Sequence, residues 1–519
     1  MIVDDQKAVT EFLAHPGETG AHAEVIETHI SRIFLSADTA LKMKRAVKLP
    51  YVDFSTPQLR LQACEKEVFL NSRTAPGLYR GVRRINRDER GRLSFGGPGE
   101  LADAVIDMAR FDQSCLLDAM ALKDELTPEL MTSVSRMIAA FHAGAPVIHS
   151  GGGAANMAAV LSINEAGFRT SHVFGDEETA SLNLAFRRAL DRHGAHLDRR
   201  EGQGKIRRCH GDLHLRNICL LDGQPRLFDC IEFNDAIATV DVLYDLAFLL
   251  MDLWHRGFFD LANLVMNRYL DETGDDDGFT LLPFFMAVRA AVRAHVTATQ
   301  IEETAEPVGG KREEARAYFN LALELLKESP ALLVAVGGLS GSGKTTAGEA
   351  CAARLGPPPG ARIVESDRIR KALHGVAAET RLPDDAYRPE VSRRVYTEIT
   401  QRSVAIAAAG GTVLADAVFD RNEDRDAIEQ AALDAGVPFA GFWLDAPAQV
   451  LRQRVAARKG GPSDAGLEVL ERQLSRFSGE VSWRKINAAL ALPEVVAALL
   501  SAVEALPASG PARPDGGQA

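Results

Sequence analysis

The sequence predicts a multidomain protein of α+β and α/β type. An α+β part with a small strand-rich lobe and a larger helical lobe comes first, and an α/β part with a parallel sheet and flanking helices follows. Three observations lead there. A chain of 519 residues is too long for one ordinary hydrophobic core. Between about residues 20 and 110, short strand-like runs alternate with turns before helical periodicity takes over. Beyond Pro330, strand-like and helical stretches alternate, the pattern of βαβ units.

In the first part, Val25 to Leu35 and Thr39 to Lys44 read as a hairpin around Ser36-Ala37-Asp38. A helix is expected from about Thr56 to Arg73, with Leu61, Val68 and Leu70 among its apolar positions, then a strand over Val105 to Phe111. Helical patterns cover Leu116 to His142, Glu178 to His193 and Asp241 to Glu303, and Lys311 to Lys327 reads as an amphipathic helix. In the last part, Leu332 to Val336, Arg362 to Glu365, Thr412 to Ala415 and Phe439 to Leu444 are the strand-like runs. The resulting division is a first domain over 1–305, a linker helix over 306–330, a second domain over 331–506 and a Pro/Gly/Ala-rich tail over 507–519 expected to be disordered.

Composition narrows the class. The apolar fraction of 46% and charged fraction of 25% are those of a soluble globular protein. A net charge of −12 argues against a broad nucleic-acid-binding face, which needs clustered Lys and Arg, but leaves room for a local basic pocket. The six cysteines, at 64, 115, 209, 219, 230 and 351, have neither zinc-ligand spacing nor the density of a disulfide framework. Met1 to Pro16 lacks a basic region followed by an apolar core, and the apolar stretch Val240 to Leu253 is broken by Asp241, Asp245 and Asp252. A cytoplasmic enzyme with reduced thiols is the expectation.

Gly338-Leu339-Ser340-Gly341-Ser342-Gly343-Lys344-Thr345 fits G-x-x-x-x-G-K-[ST] at every fixed position. It follows an apolar strand and precedes the helix-forming run Thr346 to Leu355, so backbone N–H groups and a helix N-terminus would face an anion. Lys344 is expected between the β- and γ-phosphates of ATP, with Thr345 offering its hydroxyl to Mg²⁺. Asp367, at the end of the next strand-like run, is the candidate base for an acceptor hydroxyl, and as an alternative or in addition a helix N-cap. Asp416, after Val413-Leu414-Ala415, is the candidate metal carboxylate. Arg454 and Arg458, one helical turn apart before a Gly/Pro/Ser loop, would present guanidinium groups to the phosphates, against the plainer alternative of an exposed basic face. These features resemble small P-loop kinases of the gluconate kinase, adenylate kinase and zeta-toxin kind, often labelled AAA-family ATPases. The resemblance spans about Leu332 to Leu500 and implies a P-loop NTPase fold.

A second constellation lies in the first domain. His210-Gly211-Asp212-Leu213-His214-Leu215-Arg216-Asn217 is followed by Leu227-Phe228-Asp229. Kinase-type phosphoryl transfer needs one Asp to orient or deprotonate a hydroxyl, an Asn five residues later to reach a metal, and a second metal-binding Asp. Asp212, Asn217 and Asp229 fit, and Asp222-Gly223 between them is a hairpin turn signal. This part resembles the aminoglycoside phosphotransferase family, whose catalytic loop reads H-G-D-x-H-x-x-N, over roughly residues 20 to 300. The resemblance implies a bilobal protein-kinase-like fold with Asp212 as catalytic base, His210 supporting the loop, and Asn217 and Asp229 on Mg²⁺. It makes Lys42 the nucleotide lysine and Glu67 its ion-pair partner, although Lys44 shares a strand face with Lys42 and is the alternative. In departure from the kinase pattern, no G-x-G-x-x-G occupies the first hairpin, where Glu27-Thr28-His29-Ile30-Ser31 stands. His142 and His214 read as hydrogen-bonded structural histidines, and Asp245 as an anchor of the catalytic loop.

The whole resembles bacterial fusions of these two domain types. The functional expectation is a bifunctional ATP-dependent phosphotransferase acting on small-molecule hydroxyls, a sugar or an amino alcohol among the candidate acceptors. The alternatives are a catalytic domain regulated by a nucleotide-sensing one, or a toxin-like or nucleic-acid kinase in the second domain.

Overall fold

The computed structural model describes residues 5–14, 23–28, 30–49, 52–149, 151–170, 172–303, 310–457, 463–477 and 480–506. The chain forms two compact units, Met1–Thr170 with Phe186–Asp252, and Ser171–Ala185 with Leu253–Ala519. The expected tail lies outside the described residues.

The first unit opens with helix α1 (Lys7–Ala14) and strands β1 (Glu24–Glu27), β2 (Ser31–Leu35) and β3 (Thr39–Lys44). After the two-residue strands β4 (Lys48–Leu49) and β5 (Val52–Asp53) comes α2 (Pro57–Asn71). Its start is set by Thr56, whose side chain caps the Leu59 N–H, and by Pro57, which lacks the N–H that a first turn leaves unpaired. Strands β6 (Tyr79–Arg87), β7 (Leu93–Phe95) and β8 (Glu100–Ala109) complete a six-stranded antiparallel sheet of order β1-β2-β3-β8-β6-β7. One face packs Ile106 and Ala104 against Leu61 and Cys64 of α2; the other packs Phe34, Met43 and Val105 against Val9 and Leu13 of α1. The run Val25 to Leu35, expected as one arm of a hairpin, is instead two strands, because Thr28 turns the chain by accepting from and donating to Ser31.

The helical lobe holds α3 (Leu117–Leu122), α4 (Pro128–Gly144), α5 (Gly153–Phe168), α6 (Asp176–Gly202) and α8 (Val242–His255), with the single turn α7 (Asp235–Ala238). The helix expected over Leu116 to His142 is broken between α3 and α4, where Thr127 and Pro128 start a new helix by the same cap-and-proline device as α2. Strands β9 (Ile206–Arg208) and β12 (Thr239–Asp241) pair, as do β10 (Ile218–Leu221) and β11 (Gln224–Leu227). Asp222 and Gly223 join β10 to β11 with φ of +51° and +71°, the left-handed pair a two-residue hairpin requires.

The second unit carries α9 (Phe259–Thr273), α10 (Leu282–Glu303) and α11 (Lys311–Leu325) ahead of an open sheet. Its strands are β13 (Leu332–Gly337), β14 (Arg362–Glu365), β15 (Thr412–Asp416), β16 (Phe439–Asp445) and β17 (Arg484–Asn487), all parallel, in order β14-β15-β13-β16-β17. Between them run α12 (Lys344–Ala352), α13 (Ser366–Leu373), α14 (Pro389–Ala408), α15 (Asn422–Asp434), α16 (Ala448–Ala457) and α17 (Leu467–Arg476), and α18 (Leu492–Glu504) closes the fold. Val334, Leu414, Phe442 and Leu444 meet Ala347 and Cys351 of α12 and Val495 and Leu499 of α18 in the core. Two-sided cover explains why these strands are near-continuous apolar runs. Residues 276–301 are long and apolar enough to pass as a membrane span by length and composition, but two-thirds of the window is buried, as in the core helix of a folded domain. All six cysteines are free.

Candidate phosphotransfer sites

In the first unit, β3 lies inside its sheet and Lys42 and Lys44 are both buried. Buried ammonium groups persist only when paired. Lys42 Nζ donates to Glu67 Oε1 at 2.8 Å and to Asp229; Lys44 Nζ donates to Glu67 and, at 2.5 Å, to Glu232 Oε1. Glu67, fully buried on α2, therefore bridges both lysines, so the choice left open between them becomes one of surroundings. Lys42 faces Asp229, whose side chain is 40% exposed, whereas Lys44 faces the buried Glu232. Burial pushes the Asp229 carboxyl up, but Lys42 and Lys44 more than offset it and hold it below its usual value. Burial lowers Lys42, yet Asp229, Glu67 and Glu232 together raise its ammonium above the usual lysine range.

The catalytic-type loop is built on backbone bonds to α8. Asp245 accepts from the N–H groups of His210 (3.1 Å) and Gly211 (2.8 Å) and meets His142 Nε2 at 3.1 Å, while Asp252 accepts from the Leu215 N–H. His142, Cys209 and Asp245 cluster closely enough to suggest a metal, but the Asp245 oxygens are already committed to these loop bonds. His210 Nδ1 accepts the Asp212 N–H, which leaves Nε2 to donate to the Phe228 carbonyl at 2.9 Å and tie this loop to the strand before Asp229. Burial lowers the His210 pKa and favours that neutral form. By the same logic His214 Nδ1 accepts the Arg216 N–H, so its Nε2 faces Asp212 Oδ2 as a donor, at 3.2 Å. Asn217 Nδ2 donates to both the carbonyl and Oδ2 of Asp212, each at 2.9 Å. Asp229 sits at φ +61° and its N–H donates to Tyr79 Oη. Asp212 and Asn217 thus form one hydrogen-bonded group and Lys42, Glu67 and Asp229 another, the two linked through His210 and the backbone of Phe228.

In the second unit, the loop from Gly338 leaves β13 and opens α12. Gly341 has φ +85°, and a Cβ there would lie 2.7 Å from the Leu451 carbonyl, so only glycine fits. Thr345 Oγ1 donates to Asp416 Oδ2 at 2.6 Å, joining the loop to the neighbouring strand. Lys344 Nζ lies 3.4 Å from the Leu339 carbonyl, and Thr346 is exposed. Gln473 of α17 accepts the Ser340 N–H, and the Ser342 hydroxyl is buried without a hydrogen-bond partner. Burial raises Asp416 to about 6 against the opposing pull of Lys344 and Thr345, and also raises Asp367. Asp367 is not the cap of α13: Glu365 stands at the N-cap, and Asp367 lies in the first turn. Arg454 donates to the Ala488 carbonyl at 2.8 Å, and Arg458 lies outside the described residues.

Four groups at these sites escaped sequence reasoning. Glu232 and the contact of His214 with Asp212 lie within or beside recognised motifs, so their proximity was a usable signal. Glu365 stood in plain view beside Asp367, but only the register of β14 against β15 sets it opposite Asp416. Gln473 is 133 residues from Ser340 and carries no local signal.

Fold and sites together resemble those of phosphotransferase domains. Residues 112–279 match the model of the Phosphotransferase enzyme family and residues 333–479 that of the AAA domain, the two domain types the motifs resembled. Uncharacterized proteins of Mycobacterium tuberculosis (strain ATCC 25618 / H37Rv) and Mycobacterium bovis (strain ATCC BAA-935 / AF2122/97) are each 28% identical over 468 residues, 88% of this chain and 90% of theirs. Similar solved structures include a gluconokinase from Sinorhizobium meliloti 1021, with 26% identity over 34% of this chain and 94% of that one and a TM-score of 0.25. A choline/ethanolamine kinase family protein from Mesorhizobium loti has 14% identity over 62% of this chain and 94% of that one, with a TM-score of 0.38.

Proposed function

We propose that the chain is a bifunctional ATP-dependent phosphotransferase, transferring the γ-phosphate to small-molecule hydroxyls at two sites, in the cytoplasm. The observation that supports this is the pair of side-chain groups in the first unit, Asn217 on Asp212 and Lys42 between Glu67 and Asp229, tied together by His210 on the Phe228 carbonyl. On this reading Asp212 is the carboxylate that receives the acceptor's proton as its oxygen attacks phosphorus and the bond to ADP breaks. His214 and Asn217 fix its orientation, and Lys42 is the cation for the nucleotide phosphates. In the second site the Gly338–Thr345 loop and Lys344 would cradle the phosphates, and Asp367 would take the corresponding proton.

Asn217 and Asp229 in one site, and Thr345 and Asp416 in the other, are oxygen donors of the kind suited to Mg²⁺, which when bound neutralises phosphate charge. The Asn217 Nδ2 end is committed to Asp212, so its Oδ1 end is the one for a cation.

The test is ADP release with a panel of sugars, nucleosides, amino alcohols and aminoglycosides. Asp212→Asn and Lys344→Ala should each remove a separate acceptor-dependent activity by about 100-fold or more. Unchanged turnover in both variants with an active acceptor would end the proposal.

A further inference from the structure

Helix α9 carries a buried polar face. Asn263, Asn267 and Asp271 recur at four-residue spacing, which places them on one side of the helix, and Arg268 adjoins them. Asn263, Asn267 and Arg268 are buried, an unfavourable placement unless every group is paired. Their partners belong to the parallel-sheet fold that carries the phosphate loop.

β14 is an edge strand, and its outer side needs cover. Asn267 Oδ1 accepts the Ile363 N–H at 2.7 Å, and the side-chain amides of Asn263 and Asn267 donate to the Ala361 carbonyl. Two asparagines therefore stand where a further strand would pair. The charged residues reach past this edge towards the site. Arg268 Nη2 meets Glu349 Oε1 at 2.5 Å, on the helix that Lys344 and Thr345 begin. Asp271 meets Arg362 at 2.8 Å and Arg368 at 3.5 Å. Arg368, next to Asp367, in turn donates to Glu365 at 3.0 Å. Glu365 is buried, keeps one oxygen without a hydrogen-bond partner, and lies opposite Asp416 in the sheet.

Both elements that bear the loop's chemistry, α12 and the first turn of α13, are thus held from outside by one helix. In sequence, α9 lies within residues 112–279, the stretch matched by the Phosphotransferase enzyme family. In structure it belongs to the compact unit of the phosphate loop.

We propose that Arg268 and Asp271 are positioning residues of the phosphate-loop site, setting α12 through Glu349 and the Asp367-bearing turn through Arg368. This inference rests on the proposed phosphotransfer at that site. A helix assigned by sequence to the first domain's family thereby serves the second site.

The test uses the full-length chain carrying Asp212→Asn, so that Mg-ATP turnover, with water as acceptor, reports the phosphate-loop site. Arg268→Ala and Asp271→Asn should lower kcat per bound nucleotide by about 10- to 100-fold, the scale of misplaced reacting groups. KM for ATP should stay within about threefold, and Arg268→Lys should recover part of the loss. Unchanged kcat per bound nucleotide, with only the melting temperature lowered, overturns the inference. Turnover indifferent to Lys344→Ala ends the phosphotransfer reading of this site, and hydrogen exchange then decides the coupling. Protection of the 259–273 amides by a non-hydrolysable ATP analogue, lost in Lys344→Ala, supports it; no protection overturns it.

Discussion

Lys42 and Lys44 occupy the same strand face two residues apart, and the difference between them lies in what each would abandon if removed. Without Lys44, Glu232 loses its ion pair in a fully enclosed place, and truncating one partner of a buried pair costs about 3–5 kcal/mol. Without Lys42, Glu67 keeps Lys44, and Asp229 is partly solvated. Lys42→Met should therefore fold nearly normally and lose first-site turnover by about 100-fold, while Lys44→Met should chiefly lower stability. Activity and denaturant melts of both variants check this, and the opposite pattern would make Lys44 the nucleotide lysine. A second residue-scale consequence concerns pH. Burial, with Asp416 and Asp367 nearby, raises Glu365 to about 8. A carboxyl raised on folding contributes stability that is complete below its unfolded pKa and is lost as pH rises through the folded one. Melting temperature of the nucleotide-free protein in chelator should fall from about pH 5 to about pH 8. Glu365→Gln should flatten the upper part of that slope; an identical slope in the variant would refute the assignment.

At the scale of elements, local chemistry explains most starts and turns. Proline after threonine begins α2 and α4, and the left-handed Asp222-Gly223 pair folds β10 onto β11, bringing Asp229 back towards Asn217. The pattern misled where a short turn interrupts an apolar run, as at Thr28, because a three-residue turn barely disturbs strand periodicity. α9 illustrates a different limit: its asparagines look like ordinary surface residues until the β14 edge is set against them. A chain beginning at residue 331 would leave that edge bare and Arg362 buried without Asp271 and Asp276. Residues 331–506 should express as aggregating or unfolded protein, whereas 253–506 should keep a cooperative melt. Size-exclusion chromatography and calorimetry of the two distinguish this from a self-sufficient domain beginning at residue 331.

For the whole molecule, each unit contains its own set of phosphotransfer-type groups, so the losses caused by Asp212→Asn and Lys344→Ala should combine without masking one another. Residues that act in separate places contribute independently. The phosphate loop, the Asp212–Asn217–Asp229 spacing and the strand–helix alternation of the last domain were legible in the sequence alone, whereas β6, β17 and the breaks at Thr28 and Thr127 were not. Each of the legible features depends on neighbours a few residues away, through steric permission at glycine, hairpin geometry or hydrophobic period. Tertiary structure alone decided that Glu67 bridges two lysines, that Glu365 stands opposite Asp416, and that α9 is built onto the parallel sheet. Those are pairings of buried charge and open backbone edges across long stretches of chain, where the identity of the partner is set by packing and leaves no trace in local periodicity.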